Sequence, residues 1–324
     1  MLTYSIAIRT LGTSGEVFRE ELLSITRQSI QPERVLIYIA EGYSRPEYTI
    51  GREEYVWIKK GMVAQRILPY DEITSDVIFL LDDDVRLAPN SAEQMLKAME
   101  EYQADCVGAD TFKNHNMPVV KKIYVALTNL VFPHWSNKWA FKIHYNGSFS
   151  YNNRPTKGFY WSQSCAGNAV MLRISVYRQL HFEDVQWLND MPFAYNDDMV
   201  ISYKIYKNGF RLGVLYDAGC EHFDSCSASA IFRKGSRWVH TRTMTTYIIW
   251  WRTIYQTVPK NSLNKLFIAL CFIVKVIWLF VVMCGVSVVK FTPQHIISYY
   301  SGLVDGWRFL HSERFCSLRN YTLR

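Results

Sequence analysis

Short apolar runs alternate with amphipathic stretches along the first third of the chain. Residues 4–9, 35–39 and 77–81 are apolar and β-prone, so each is predicted to be a buried strand. Helical patterns follow at residues 16–29 and 89–102. Strands that alternate with helices predict an α/β fold, with a mostly parallel sheet covered by helices on both faces. Such sheets bind ligands at the carboxyl ends of their strands, so chemistry is expected in the loops that follow the three runs.

The regular alternation lapses over residues 113–161 and then returns. That stretch is rich in aromatic and basic side chains, and we expect it to pass over the ligand edge of the sheet. A strand is predicted at residues 169–172, a helix at residues 199–207 that is ended by Gly209, and a strand near residues 211–216. These elements would complete one continuous catalytic unit.

The most apolar segment, residues 266–289, contains one charged side chain, Lys275. A helix of this length can span a bilayer. Two alternatives remain open, a buried core helix and a helix that lies in the membrane interface with Lys275 extended toward water. The predicted division of the chain is a catalytic domain at 1–240, with a donor half at 1–112 and an acceptor half at 113–240, then a helical membrane-associated region at 241–324.

Composition and charge narrow the range of functions. The chain has 324 residues and a formal net charge of +7, and much of the positive excess lies after residue 232, which suits an anionic membrane surface. No zinc-finger spacing or RNA-binding signature is present, so a nucleic-acid partner is not expected. The seven cysteines include no CxxC pair, and the amino terminus lacks an export signal. Reduced thiols and a cytoplasmic active site are therefore expected.

Two acidic clusters mark the positions where chemistry is expected. Asp82, Asp83 and Asp84 directly follow a predicted central strand, where crowded carboxylates are costly without a cation. A divalent metal ion, Mn²⁺ or Mg²⁺, would accept their oxygens and keep positions open for a diphosphate, whereas a solvated turn or a helix cap is the alternative. The second cluster, Asp197-Asp198, precedes a helical pattern, where it could cap the helix, supply a general base, or do both.

The order of these motifs resembles the family 2 glycosyltransferases over roughly residues 5–238. Residues 80–85 match the Asp-x-Asp motif of that family, and Asp197-Asp198 stands at the place of its acidic pair. Lys60-Gly61 with Arg66 looks like its helix near the donor diphosphate. Residues 234–238, Lys-Gly-Ser-Arg-Trp, are similar to the Gln-x-x-Arg-Trp motif of the cellulose-synthase-like members, with Lys in place of Gln. The resemblance implies a Rossmann-like GT-A fold.

The resemblance also implies roles for individual side chains. Asp82 and Asp84 would serve the metal ion and the donor, Asp83 would lie beside the ribose or sugar, and Asp198 would be the catalytic base, with Asp197 beside it. The acceptor oxygen would displace a nucleoside diphosphate in one inverting step, and the metal ion would stabilise the departing phosphate. The remaining donor-binding candidates are Thr10, Glu41, Lys60, Arg66, Arg237 and Trp238.

Three of the candidates have open alternatives. His222 follows a predicted strand and could supply a nitrogen ligand to the same metal ion, although a lone histidine can equally be structural. Arg237 and Trp238 could steady the donor diphosphate and close the site against water. Equally, they could belong to a basic and aromatic belt at the membrane interface.

These observations predict a membrane-associated, metal-dependent transferase of cell-envelope polysaccharide synthesis. It would move a sugar from a nucleoside diphosphate sugar to a glycan or lipid-linked acceptor at the cytoplasmic face of the inner membrane. One candidate membrane segment is too little for a translocation channel, which favours transfer of single sugars over processive polymerisation. Two alternatives remain, a nucleotidyltransferase or phosphohydrolase, which would leave Asp197-Asp198 unexplained, and a scaffold that binds a nucleotide sugar without turnover.

Overall fold

The computed structural model of the chain describes residues 2–111, 118–131, 139–223, 235–259 and 263–323. The strands are β1 (Tyr4–Thr10), β2 (Val35–Ala40), β3 (Glu53–Ile58), β4 (Val77–Asp82), β5 (Val85–Leu87), β6 (Cys106–Ala109), β7 (Phe141–Ile143), β8 (Phe149–Tyr151), β9 (Phe159–Trp161), β10 (Ala169–Arg173), β11 (Leu212–Leu215) and β12 (Cys220–His222). The helices are α1 (Gly15–Thr26), α2 (Ser91–Glu101), α3 (Val119–Asn129), α4 (Ile174–Gln179), α5 (Asp197–Lys207), α6 (Gly235–Trp250), α7 (Leu263–Lys290), α8 (Gln294–Leu310) and α9 (Glu313–Cys316). A 3₁₀ segment spans Phe182–Asp190, and a π-helical turn, Trp251–Tyr255, continues α6.

Eight of the described strands form the central sheet, in the order β3-β2-β1-β4-β10-β6-β11-β9. The four strands from β1 to β4 run parallel to one another, and β6 runs parallel to β11. β10 lies between β4 and β6 and is antiparallel to both, and β9 is antiparallel to β11. The predicted strands and helices are present with ends shifted by only a few residues, and the prediction of a mostly parallel sheet is confirmed.

The reversed direction of β10 decides which loop meets the end of β4. Ala169 pairs with Leu81, and the carbonyl oxygen of Asn168 accepts a hydrogen bond of 3.0 Å from the backbone N–H of Asp82. The loop before β10, which contains Gly167, therefore lies at the same edge of the sheet as the carboxyl ends of β1 and β4. The apolar pattern of a strand buried on both faces is the same in either direction, so the sequence does not predict this arrangement.

Each face of the central sheet packs into its own apolar core. On β4, Val77, Phe79 and Leu81 belong to the core that includes residues of α1 and α2. Ile78 belongs to the opposite core, which includes residues of α5, the 3₁₀ segment and the carboxyl-terminal helices. Successive side chains of a strand point to opposite faces, so both faces are covered as the alternation of elements predicts.

The carboxyl-terminal helices pack closely against one another. α6 and α8 approach at Gly302, where an added Cβ would lie 2.6 Å from the carbonyl oxygen of His240. Nε2 of His240 is 3.0 Å from Oδ2 of Asp305 across the same contact. Farther along the chain, the Tyr321 hydroxyl donates a hydrogen bond of 2.6 Å to the carbonyl oxygen of Val200 on α5. The domain boundary predicted at residue 240 falls within α6 and stays a prediction.

α7 contains the whole predicted apolar segment. Within the described residues it is the one helix long and apolar enough to cross a membrane, with a mean hydropathy of 2.9 in a window of which 17% is buried. Ile268, Phe272 and Lys275 are buried against the rest of the protein. The exposed apolar side chains of this helix include Leu266, Phe267, Leu270, Ile273, Val274, Ile277, Phe280 and Val281. This exposure does not fit the alternative of a buried core helix.

Candidate active site

The Asp triplet lies at the ligand edge of the central sheet. Asp82 is the last residue of β4, and Asp83 and Asp84 form the turn that leads into β5. β1 ends beside this turn in a parallel register that pairs Arg9 with Asp82. Because β5 separates the triplet from α2, the three carboxylates do not cap that helix.

Asp82, Asp84 and His222 form a group that could hold a metal ion. One ligand atom from each lies within 4.8 Å of the other two, and Nε2 of His222 is 3.0 Å from Oδ1 of Asp84. The antiparallel pairing of β12 with β5 places His222 opposite Val85, next to the triplet. Two carboxylates with an imidazole suit Mn²⁺ better than Mg²⁺, which favours oxygen ligands. The three predicted ligands therefore meet at one point, and the identity of the ion stays a prediction.

Asp83 accepts hydrogen bonds from two hydroxyl groups, one at the end of β1 and one in the segment that links β1 to α1. The Thr10 hydroxyl and the Ser14 hydroxyl both donate to Oδ2 of Asp83, the latter at 2.7 Å. Burial raises the pKa of Asp83 above its ordinary value, and these two hydrogen bonds oppose the rise. Thr10, a predicted donor-binding residue, thus lies against the triplet, and its contact fixes the orientation of the carboxylate between the two metal-capable ones.

Arg66 joins the two acidic clusters. One of its guanidinium nitrogens, Nη1, lies 2.8 Å from Oδ2 of Asp197 and forms a second ion pair with Asp198, while Nη2 is 3.6 Å from Oδ2 of Asp82. Arg9 supplies another cation, which pairs with Asp82. The structure places Arg66 among the carboxylates, where its charge offsets their repulsion. The predicted role of Arg66 near the donor diphosphate stays a prediction.

The acids of the second cluster are directed toward Arg66 from the first turn of α5. Asn196 stands at the capping position with a φ of 62°, and its side chain makes no capping hydrogen bond. Asp197 is buried, whereas the side chain of Asp198 is 37% exposed and could reach a substrate. Both acids form ion pairs with Arg66 as well as standing in the first turn of the helix, and their catalytic role stays a prediction.

Gly167 forms the surface on which Asp198 lies. A Cβ at this position would be 2.1 Å from Oδ1 of Asp198 and 2.9 Å from Nη1 of Arg66. The carbonyl oxygen of Gly167 also accepts a hydrogen bond of 3.1 Å from Nη2 of Arg9. Gly167 is not predicted from the sequence as a site residue. It stands as a small residue directly before a buried strand, and its position at the site follows only from the direction of that strand.

Glu21, which is also not predicted from the sequence, is a buried carboxyl group on α1 close to the triplet. Its side chain is fully inaccessible to solvent. Burial raises its pKa well above the ordinary value, and the charges of Asp83, Asp84 and Asp82 raise it further. The signal in the sequence is an acid on the apolar face of a helix.

The other predicted donor-binding residues lie around the edge of this cluster. Glu41 is exposed after β2, and Lys60 donates a hydrogen bond of 2.6 Å to the Tyr43 hydroxyl. Arg237 is exposed in the first turn of α6, and Trp238 packs edge-to-face against Tyr195 at a centroid distance of 5.3 Å. Residue 234 of the same motif lies outside the described residues. The roles predicted for these side chains stay predictions.

No protein-family model and no curated protein matches the sequence. The fold is similar to that of GalNAc-T7 solved with UDP, GalNAc and Mn²⁺, with a TM-score of 0.50 and 12% identity over 82% of this chain and 54% of that chain. It is also similar to residues 1–349 of S. aureus TarS in complex with UDP-GlcNAc, with a TM-score of 0.54 and 12% identity over 98% of this chain and 84% of that chain. This chain therefore spans about half the length of the GalNAc-T7 chain.

At this level of identity the likeness shows the fold. Both similar proteins are glycosyltransferases of the GT-A fold, and the predicted fold class is thereby confirmed. Membership of family 2 stays a prediction.

Proposed function

We propose that this chain is a metal-dependent glycosyltransferase that uses a nucleoside diphosphate sugar as donor. The observation that carries the proposal is the meeting of two acidic sites around Arg66, one able to hold a metal ion and one presenting Asp198 to solvent. The two similar structures hold UDP or UDP-GlcNAc, and one of them holds Mn²⁺. A nucleotidyltransferase or phosphohydrolase would use the metal-capable group and leave Asp198 without a role.

The donor half of the site has the groups that a nucleoside diphosphate needs. Asp82, Asp84 and His222 would hold the ion, whose chemistry when bound is to neutralise the diphosphate and assist its departure. Arg9 and Arg66 are close enough to this group to contact the same phosphates, since guanidinium groups match phosphate oxygens. Glu41, Lys60, Arg237 and Trp238 remain candidates for the outer contacts of the donor.

On the acceptor side, Asp198 is the proposed general base. It would take the proton from an acceptor hydroxyl, and the acceptor oxygen would form a bond to the anomeric carbon of the donor sugar. The bond between that carbon and the phosphate oxygen would break, and the nucleoside diphosphate would leave with the bonding electrons. This single displacement inverts the anomeric carbon and needs no covalent intermediate. The inverting, family 2 assignment rests on the order of the motifs.

The exposed side of α7 supports association with a membrane. The helix is packed along its other side, where the Tyr299 hydroxyl donates a hydrogen bond of 2.9 Å to Val276 and Trp278 donates one of 2.6 Å to Leu127 of α3. The neighbouring helices α6 and α8 carry the ionisable side chains His240 and Asp305 in contact and so are unsuited to a bilayer core. We therefore favour α7 lying along the membrane surface, at the cytoplasmic face where nucleotide sugars are supplied.

Donor binding tests the proposed function. A panel of nucleoside diphosphate sugars would be titrated by calorimetry into the detergent-purified protein with Mn²⁺. One donor should bind, and EDTA or Asp84→Asn should weaken that binding by at least about tenfold, since EDTA removes the metal ion that neutralises the diphosphate and Asp84→Asn weakens the site that would hold it.

Asp71→Asn is the matched control, because Asp71 is exposed and lies outside the site. It should bind the donor as the unmodified protein does. Donor binding that ignores both Mn²⁺ and Asp84, or donor turnover that releases inorganic phosphate, would favour the alternatives over a transferase.

A further inference from the structure

A cavity of about 220 Å³ lies between the carboxyl-terminal helices and the acceptor half of the domain. Its walls include residues of α3, the loop between β7 and β8, α6, α7 and α8. Asn196, which directly precedes the acids of α5, lines it, as does Trp238 at the start of α6. The cavity therefore adjoins the place where the proposed base would meet an acceptor.

Two cations line the cavity. Lys275, 4% exposed, comes from the middle of α7, and Arg242 comes from α6. Among the described residues Lys275 has no hydrogen bond or ion pair, and no acidic side chain lines the cavity. Arg242 lies over the Tyr195 ring at 5.8 Å. Burial, followed by the charge of Arg242, lowers the pKa of Lys275 to about 7.

A buried ammonium group without a partner is unfavourable for folding. Packing alone would favour Met or Leu at this position, since the helix is otherwise apolar over residues 266–289. A ligand that brings negative charge between Lys275 and Arg242 would compensate this cost. A phosphate group has the charge and the acceptor oxygens to bind both cations.

The rest of the cavity wall is largely apolar. Val276, Leu279 and Met283 line it from α7, and Leu303 lines it from α8. The outer surface of α7 carries exposed apolar side chains suited to a lipid surface, such as Ile277. A ligand with an anionic head and a hydrocarbon chain would satisfy both the cations and the apolar wall.

We infer that this cavity is the acceptor site, and that the acceptor is an amphiphile with a hydroxyl-bearing head group. Its phosphate group lies between Lys275 and Arg242, its hydrocarbon chain lies along α7 and α8, and its hydroxyl is the group that reaches Asp198. The inference rests on the proposed function, because it names the class of substrate that Asp198 would deprotonate. It also explains why a lysine stands in the most apolar helix of the chain.

Calorimetric titration with dodecyl phosphate, with the protein in a neutral detergent, tests the inference. Two comparison ligands separate its parts: inorganic phosphate represents the head group alone, and dodecanol represents the hydrocarbon chain alone. Dodecyl phosphate should bind at least about tenfold more tightly than either. Lys275→Gln should weaken its binding by at least about tenfold, Lys275→Arg should retain it, and Lys290→Gln, at the exposed end of the same helix, should leave it unchanged.

Thermal unfolding distinguishes a ligand-binding lysine from a packing one. Lys275→Met removes a buried charge that has no partner among the described residues, so its Tm should equal or exceed that of the unmodified protein while dodecyl phosphate binding is lost. The inference is overturned if Lys275→Met lowers Tm markedly, if Lys275→Gln binds dodecyl phosphate within about twofold of the unmodified protein, or if inorganic phosphate binds equally well.

Measuring nucleotide-sugar binding in the same variants distinguishes failure of this inference from failure of the proposed function. Lys275→Gln should bind the nucleotide sugar with Mn²⁺ as the unmodified protein does, since Lys275 belongs to the cavity and not to the acidic cluster. Intact donor binding without dodecyl phosphate binding would overturn the acceptor inference alone. Failure of the unmodified protein to bind any donor would count against the proposed function, whatever the dodecyl phosphate result.

Discussion

Opposite charges in close contact organise the site at the scale of single residues. Arg66 contacts Asp82, Asp197 and Asp198 at once, and Arg9 pairs with Asp82. The crowded carboxylates can therefore coexist before any metal ion binds, because two guanidinium groups balance part of their charge. The site can therefore fold without a bound metal ion.

Gly167→Ala should impair turnover without unfolding the protein. The added methyl would overlap Oδ1 of Asp198 and lie 2.9 Å from Nη1 of Arg66, so the ion pair between these two side chains would be displaced from its position. A displacement of about 1 Å at a reacting group can lower kcat by about 100-fold. We expect kcat for sugar transfer to fall by at least tenfold while Tm, measured by differential scanning fluorimetry, changes little.

The control for this variant is Gly285→Ala, the same chemical change in α7 where nothing lies within 4 Å of the added atom. It should retain full activity. Unchanged kcat in Gly167→Ala would show that the position of Asp198 is not critical for the reaction.

The residues that could be predicted from sequence are those whose type reveals their chemistry. Asp82, Asp84 and Asp198 stand in acidic runs next to predicted elements, and His222 follows a strand, so a short stretch of chain is enough to identify them. Gly167 and the central position of Arg66 could not be predicted, because both depend on contacts between segments far apart in sequence.

At the scale of elements, periodicity predicted where strands and helices occur but not how they are arranged. β4 and α5 follow their sequence patterns closely, since both bury apolar side chains at regular intervals. The antiparallel insertion of β10 and the short elements α3, β7 and β8 were not predicted. Strand direction and short hairpins depend on tertiary partners, which leave little trace in local periodicity.

α1 carries a prediction about pH, because it buries Glu21 near the Asp triplet. A carboxyl whose pKa is raised by folding stabilises the folded state less as pH rises above the unfolded value near 4.5. Glu21→Gln removes that penalty. In EDTA, its Tm should exceed that of the unmodified protein at pH 7 by about 2 °C or more, and the difference should vanish near pH 4.

Glu20→Gln, one residue away on a less buried part of α1, is the matched control and should show no such pH-dependent gain. A lower Tm for Glu21→Gln at neutral pH would indicate that the ionised carboxylate, rather than the neutral acid, stabilises the fold. Differential scanning fluorimetry across the pH series provides both comparisons.

At the scale of the whole molecule, the cavity lies between the start of α5, which carries Asp197 and Asp198, and α7, whose outer face is exposed. The cavity is lined by Asn196 near the acids and by Met283 on α7. This arrangement would let one ligand reach from the membrane surface to the proposed base. We therefore expect the isolated protein to bind vesicles.

Replacing Ile277 and Val281 together with Glu should release the protein from anionic vesicles. Both side chains are more than half exposed, at 59% and 54%, one helical turn apart on α7. Burial of two such side chains contributes a few kcal/mol, so the partition coefficient measured by co-sedimentation should fall by at least about tenfold.

Lys97→Glu on α2 changes the net charge by the same amount and is the control for charge alone. It should remain bound to the vesicles. An unmodified protein that stays in solution beside anionic vesicles would contradict membrane association.

The pairing of Arg66 with Asp198 has a kinetic consequence. The Arg66 guanidinium group lies against Oδ1 of Asp198 and fills the space that an acceptor hydroxyl would need at that oxygen, so Oδ1 is masked in the structure described. Under the proposed function, arrival of a diphosphate would give Arg66 a competing anion and unmask the carboxylate. The two substrates would then bind in a compulsory order, donor before acceptor, and the conformation seen here would be the resting state that opens each cycle.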